Sequence, residues 1–332
     1  MTISRRQVLH LAAGAGAIGA AGAGAGRALA LDFPTRPITI VVPFSAGGAT
    51  DVMARMVADP MGKALGQTVV VEDLTGAAGA IGVGKVVHAA PDGYTLCVGT
   101  LTTNVLIGGL YKLDFDLLTD LVPITELGYE PLMICVKNSL PANNLKELIA
   151  WLKASPGKAT VGIPGVGSTG NLAGIALMNK IGTSVQYVPY RGDNPAVQDM
   201  MAGQIDMMIE PSSNFTAQVK AGTIRAIAVT QKGRMANLPE VPTIDEAGLP
   251  GFYASIWFGM WAPKGTPKDV LDKLHGAVVK ALADPNVKDK LNALGQQVAS
   301  PELQSPEAFH AFQKSEAERW YPVIKAANIK LQ

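Results

Sequence analysis

ITIVVPFSAGGATDVMARMVADPMGKALGQTVVVED, residues 38–73, contains the changes of pattern that decide the fold. ITIVVPF is a continuous apolar run, as a strand buried on both faces requires. A Gly/Ala loop leads into the helix-like DVMARMVADPMGKALG, and TVVVED (68–73) returns to a strand. Strand, helix and strand in that order predict a right-handed β-α-β unit and a parallel sheet. Pro60 is expected to kink or split the helix, because its ring crowds the preceding turn and it lacks a backbone N–H.

The alternation continues outward. Helix-like IGVGKVVHAA (81–90) is followed by the strand YTLCVGT (94–100). A second series opens near residue 132: LMICVKN, ATVGIP, VQYVPY, IDMMIEP and IRAIAVT read as strands. Between them NLKELIAWLKAS, TGNLAGIALMNKIG, NPAVQDMMAGQ and NFTAQVKAG read as helices. Residues 231–252 are proline-rich and aperiodic, a loop leaving this second unit. Helix-like segments around 267–283, 285–295 and 305–326 then need a sheet to cover, and the first unit has room for them. The expected architecture is two α/β domains, 31–130 with 254–332 and 131–253, with chain crossings near 128–133 and 252–257.

The first thirty residues stand apart. MTISRRQVLHLAAGAGAIGAAGAGAGRALA joins a basic start to a weakly apolar Ala/Gly run and ends in Ala28-Leu29-Ala30, the pattern of an export signal cleaved after Ala30. Arg5-Arg6 suits the twin-arginine route, although Val8 and His10 depart from its usual Phe and Lys. Cleavage removes three arginines and no acidic residue, leaving 302 residues with 25 basic and 27 acidic side chains, a net charge of −2. Such a balance gives no electrostatic reason to expect nucleic acid or an anionic membrane surface. The periplasm and a monomer are expected. Cys97 and Cys135 lie in separate apolar strands without CxxC spacing; the oxidising compartment permits a bond, but buried thiols are the preferred reading.

Catalytic and nucleotide motifs fail on their chemistry. GAIGVGKV (79–86) is one letter from a P-loop, but Val86 stands where a hydroxyl must hold a metal ion. GVGSTG (165–170) lacks the glycine two before Ser168 that a nucleophile elbow needs. His88, His275 and His310 have no metal-ligand spacing. DFD (114–116) and Asp51 have no second group at a recognisable distance, so neither a catalytic role, a metal nor a cofactor is assigned.

Anion binding has more support. PFSAGGATD (43–51) lies between a strand's carboxyl end and a helix, where ligands collect in parallel sheets. Gly47-Gly48 lets backbone approach a ligand, Thr50 or Asp51 can cap the helix, and helix N-terminal amides attract carboxylate. GVGSTGN (165–171) repeats the arrangement. YRGDNPAVQD (190–199) starts a third helix, with Pro195 in its first turn and Asn194 or Asp193 as cap.

Residues 33–332 resemble the substrate-binding proteins of tripartite tricarboxylate transporters, also called the Bug family. The likeness rests on strand–PFSAGGATD–helix, a Gly-rich loop and helix before APDGYTL, GVGSTGNLAG, VPYRGDNPAVQDMMAGQIDMMI and LPEVPTIDEAGLPGF. It implies a periplasmic-binding-protein (Venus flytrap, type II-like) fold of two α/β domains joined by two crossing strands. It implies a small carboxylate ligand held by Phe44, Ser45, Ala46, Gly47, Gly48, Thr50 and Asp51 from one domain and Gly167, Ser168 and Thr169 from the other. Tyr190 and Arg191 are expected at the cleft mouth or hinge side, with Thr102, Thr103 and Asn104 completing a wall. Lys85 becomes incidental to the Gly-rich loop. Delivery to a membrane permease of large and small integral subunits follows from the family; a receptor feeding a sensor kinase, or a periplasmic enzyme, are the alternatives. Asn171, Glu210 and Ile175 depart from the residues common in relatives. Glu210 can accept a hydrogen bond from an amine, amide or hydroxyl of the ligand, or cap a helix. Trp257 and Trp261 either pack the hinge or stack on an aromatic ligand.

Overall fold

The computed structural model describes residues 32–327, so the export signal read at residues 1–30 lies outside the described residues. β1 (Ile38–Val42) pairs in parallel with β2 (Val69–Asp73) and β3 (Thr95–Thr100), with Ile38 opposite Val69 and Thr39 opposite Thr95. The connecting helix α1 (Ala49–Leu65) buries Met53, Ala54, Val57, Ala58 and Met61 on the sheet and ends at Gly66, whose N–H donates to Gly62 O. Pro60 lies inside this helix and does not split it. Packing of its neighbours Val57, Ala58 and Met61 holds the segment helical across the one bond proline forfeits. α2 (Ala80–Val87) returns the chain to β3.

Three short elements escape the sequence pattern. Residues 102–106 form a π turn that runs into α3 (Ile107–Leu110), and β10 (Gln297–Val298) adds two residues opposite Tyr129 and Gly128. The central sheet also departs from the parallel expectation. β4 (Leu121–Lys137) is a single long strand: its first half is antiparallel to β9 (Ser255–Pro263), and its second half to β7 (Met207–Pro211) and β8 (Ile224–Val229). β9 in turn is antiparallel to β3. A chain that leaves one half on β4 and re-enters it on β9 must run in opposite directions at the two crossings.

The second half is built as the pattern predicts, apart from that antiparallel centre. β5 (Thr160–Ile163) pairs in parallel with β6 (Gln186–Pro189) and β7, and the helices are α4 (Leu145–Ala154), α5 (Thr169–Ile181), α6 (Asp193–Met201) and α7 (Thr216–Lys220). α8 (Lys268–Ala283) packs on α1, α9 (Pro285–Leu294) follows, and α10 (Pro306–Ala327) covers the first half. Trp257 and Trp261 are buried against α10: their rings lie 5.7 and 5.1 Å from that of Phe309, and their indole N–H groups donate to Glu316 and Gln313. Cys97 and Cys135 are buried free thiols, and burial pushes the Cys97 thiol up to about 12.

β4 carries two buried carboxyls. Glu130 accepts from the backbone N–H and hydroxyl of Ser213, both at 3.0 Å, and burial pushes it up to about 7. Glu126 is 2% exposed, its Oε2 has no hydrogen-bond partner, and burial pushes it up to about 8 from an ordinary 4.5. A carboxyl held above its unfolded value stabilises the folded chain at low pH and loses that contribution as pH rises through the folded value. Glu126→Gln should therefore flatten the fall in Tm between about pH 5 and pH 8. Equal slopes in variant and parent would show that Glu126 is ionised and hydrated in the folded protein.

Candidate ligand-binding cleft

Two loops face each other across the cleft with the same local geometry. In the first, β1 ends at Val42, Gly47 takes φ 76°, Gly48 is the N-cap of α1, and Asp51 reaches back to accept from Gly47 N–H at 2.7 Å. In the second, Gly167 takes φ 82°, Ser168 is the N-cap of α5, and Asn171 Oδ1 accepts from Gly167 N–H at 2.9 Å. Each glycine occupies the left-handed region that a side chain resists, and the third helical residue ties that glycine down. Ser168 Oγ adds a cap bond from Asn171 N–H at 3.2 Å. The amides of each first helical turn lack intrahelical partners, and the dipole behind them favours negative charge.

This geometry reassigns two candidates. Asp51 is spent on Gly47 and on Arg55, whose guanidinium lies 2.6 Å from Oδ1 and also bridges to Asp73. Asn171 is likewise spent on its own loop. Both act as local braces and do not line either cleft cavity.

Direct contacts close the cleft. Thr102 Oγ1 accepts from Thr169 N–H at 3.0 Å and lies 2.9 Å from Thr169 Oγ1. Asn194 Nδ2 donates to Ala46 O at 3.2 Å, and Gly192 packs so closely on Ser45 that a Cβ there would sit 2.5 Å from Ser45 Oγ. Gly192, and not Asn194 or Asp193, is the N-cap of α6; Asp193 is its first residue and Pro195 stands in its first turn. Asn194 is thereby free to cross the cleft.

The closed cleft contains two adjoining cavities that share Phe44, Ser45 and Pro164. The outer one, of about 500 Å³, lies between Pro43–Ser45, Thr75–Gly79 and Tyr111 on one side and Pro164–Val166 and Pro189–Gly192 on the other. Tyr190 and Arg191 stand in that wall, and the Tyr190 hydroxyl donates to Asp199 at 2.7 Å. The inner one, of about 20 Å³, is bounded by Gly48, Thr50 and Thr102 from the first half and by Ser168, Thr169 and Glu210 from the second, with Asp193 beside them. Ala46 and Gly47 are exposed, next to Asn194 of the opposite half. Thr103 and Asn104 are buried behind the wall: Thr103 Oγ1 donates to Asn104 Oδ1 at 2.7 Å and accepts from Thr100 N–H at 2.9 Å. Gly167 is pressed against Leu110, where a Cβ would fall 2.0 Å from Cδ1.

Sequence reasoning missed Thr75–Gly79, Tyr111, Gly165 and Val166 in the outer cavity and the inward turn of Asp193. Ala77 and Ala78 adopt φ 47° and 52°, a region alanine resists; only the neighbouring glycines hinted that this backbone is unusual. Lys85, on α2 beyond this loop, is ion-paired to Glu72 at 2.6 Å and takes no part in the cleft. Glu210 is 3% exposed, and burial together with the nearby charge of Asp193 holds its carboxyl well above the usual range. Burial likewise pushes Asp193 up to about 6.

Two α/β domains, two crossing strands and a closing cleft define the periplasmic-binding-protein fold. The family profile described as "Tripartite tricarboxylate transporter family receptor" (TctC) matches residues 53–329, and the chain belongs to that family. BugT of Bordetella pertussis is 34% identical over 302 residues, 90% of this chain and 92% of its own. The structure of the periplasmic binding protein BugD has a TM-score of 0.85 and 38% identity, covering 90% of this chain and all of that one. MatC from Rhodopseudomonas palustris with bound malate has a TM-score of 0.83 and 34% identity, over 88% of this chain and 100% of its own. Membership places the chain among solute receptors, not enzymes. No helix among the described residues is long and apolar enough to cross a membrane.

Thr102→Val should weaken closure, because it removes the acceptor of Thr169 N–H and leaves that buried donor unpaired, at a cost of about 1–3 kcal/mol. The expected result is a larger radius of gyration by small-angle scattering in the ligand-free variant. Identical scattering from variant and parent would assign closure to other contacts.

Proposed function

We propose that the chain is a periplasmic receptor that captures a small carboxylated solute by closing its two domains, 31–130 with 254–332 and 131–253, and presents it to a tripartite permease. The carrying observation is the repeated loop: two helix N-termini, braced in the same register by Asp51 and Asn171, both reach the inner cavity next to the wall of Phe44, Ser45 and Pro164 that it shares with the outer one. Their dipoles favour an anion there, and the adjoining loop backbone at Ser45 and Gly165–Val166 can approach it closely. The body of the solute then occupies the outer cavity, beside Phe44, Tyr111 and Tyr190.

Closure follows from differential affinity. Only the closed form brings both loops to one ligand, and each charge-assisted hydrogen bond contributes about 1.5–3 kcal/mol. Thr102–Thr169 and Asn194–Ala46 then hold the closed form. Malate in MatC supports a carboxylate as the ligand class. The large and small integral subunits of the permease, the periplasmic location and the monomeric state rest on the family and on the export signal read in the sequence.

Thermal-shift screening of the mature protein against mono-, di- and tricarboxylates, amino acids and aromatic acids tests this reading. A true ligand at a hundredfold over its dissociation constant should add about 2.7 kcal/mol of stability. Gly48→Trp, which fills the inner cavity, and the double variant Ser168→Ala/Thr169→Ala should each abolish most of that gain. Stabilisation that survives in both variants would place the ligand elsewhere.

A further inference from the structure

The inner cavity has one unusual property: among the residues that line it, the sealed side-chain atoms without a hydrogen-bond partner are carboxylate oxygens. Glu210 lines the cavity, and its Oε1 is sealed from solvent and has no hydrogen-bond partner. Asp193, on the neighbouring α6, also lines the cavity; its Oδ1 is sealed without a hydrogen-bond partner, although the rest of Asp193 is half-buried and the Asn214 side chain interacts with its carboxyl. The hydroxyls around them are largely engaged: Thr102 and Thr169 with each other, Ser168 with Asn171 N–H. No lysine, arginine or histidine lines the cavity.

Helix capping does not account for Glu210. The short turn that follows it, Ser212–Asn214, has Pro211 as its N-cap and no side-chain cap bond. Glu210 Oε1 instead lies against α5, where a Cβ on Gly170 would fall 2.1 Å from it. The glutamate is thus accommodated by a glycine in the helix that brackets the ligand loop.

We propose that the solute is an amino-carboxylate, and that Glu210 and Asp193 receive its ammonium group in the inner cavity while its carboxylate stays at the loops. This inference rests on the carboxylate reading given above and specifies it. Size supports it, since a cavity of about 20 Å³ holds one group no larger than a water molecule. Charge supports it as well: an ammonium brings three donors and a positive charge to two carboxyls that each keep an unpartnered oxygen, whereas a hydroxyl brings one donor and no charge. The shared residues Phe44, Ser45 and Pro164 make the two cavities adjoin, so a carboxylate at their boundary can place a nearby amine inside.

Matched acids differing only in this group provide the test: aspartate, malate and succinate; alanine, lactate and propionate; phenylalanine, phenyllactate and phenylpropionate. Titration calorimetry should show, within the series that binds, the amino acid tighter than its hydroxy and unsubstituted partners by about tenfold or more. Glu210→Gln and Asp193→Asn, with their folding checked by circular dichroism and Tm, should each collapse that ratio. If one variant does not fold, the other carries the comparison. A bound series without amino preference, or a preference kept in the folded variants, overturns the ammonium assignment and leaves the carboxylate reading standing. No binding in any series, together with no hit in the carboxylate screen, overturns both.

Discussion

The antiparallel pairing of β4 with β9 is the constraint on which the molecule depends. Between Glu130–Pro131 and Ser255–Ile256 the two strands cross together from one sheet to the other. At that point Leu132 N–H turns to Ala254 O, while Thr230 N–H takes Leu132 O. These bonds pass the long strand from its first set of partners to its second without exposing an unpaired edge. The two halves are therefore joined by a short hydrogen-bonded ribbon. Every cross-cleft contact depends on that ribbon aiming β1's loop at β5's.

Once aimed, the loops need little charge. Neither Gly48 nor Ser168 brings a cation, and the basic Arg55 and Lys85 are occupied by Asp51 with Asp73 and by Glu72. On the proposed reading backbone amides recognise the anion, which requires rigid loops, and Asp51 and Asn171 hold the two loops in equivalent positions. Fixed donors in a closed site act more strongly than mobile charged side chains in water.

Much of the frame was legible in the sequence because it is local. The switch from continuous apolar runs to helical spacing at ITIVVPFSAGGATDVMARM marks β1 and α1, and the same rule finds nearly every later element. Strand order was less legible: the antiparallel centre arises because β9 returns from the far domain, a pairing between residues more than a hundred positions apart. At the site, loop chemistry identified Gly48, Ser168 and Thr169 as neighbours of a cavity. Asp51 and Asn171 also carry polar side chains but turn back to accept from their own loops, and sequence does not encode that choice. Asp193 looked like a cap; Gly192, with φ 125°, takes that place and leaves the carboxyl facing inward. Ala77 and Ala78 adopt their left-handed backbone against the preference of alanine, which carries no sign of it in the sequence.

The tryptophans described against α10 have an optical consequence. Trp257 and Trp261 form one buried cluster with Phe309, Trp320 shares Glu316 with Trp257, and neither cavity contains an indole. Trp151 lies on α4 in the other domain. Emission from this protein is therefore blind to ligand contact as such. A change in its spectrum on adding a solute therefore reads out rearrangement around β9 and α10 or around Trp151, and not a contact between indole and solute.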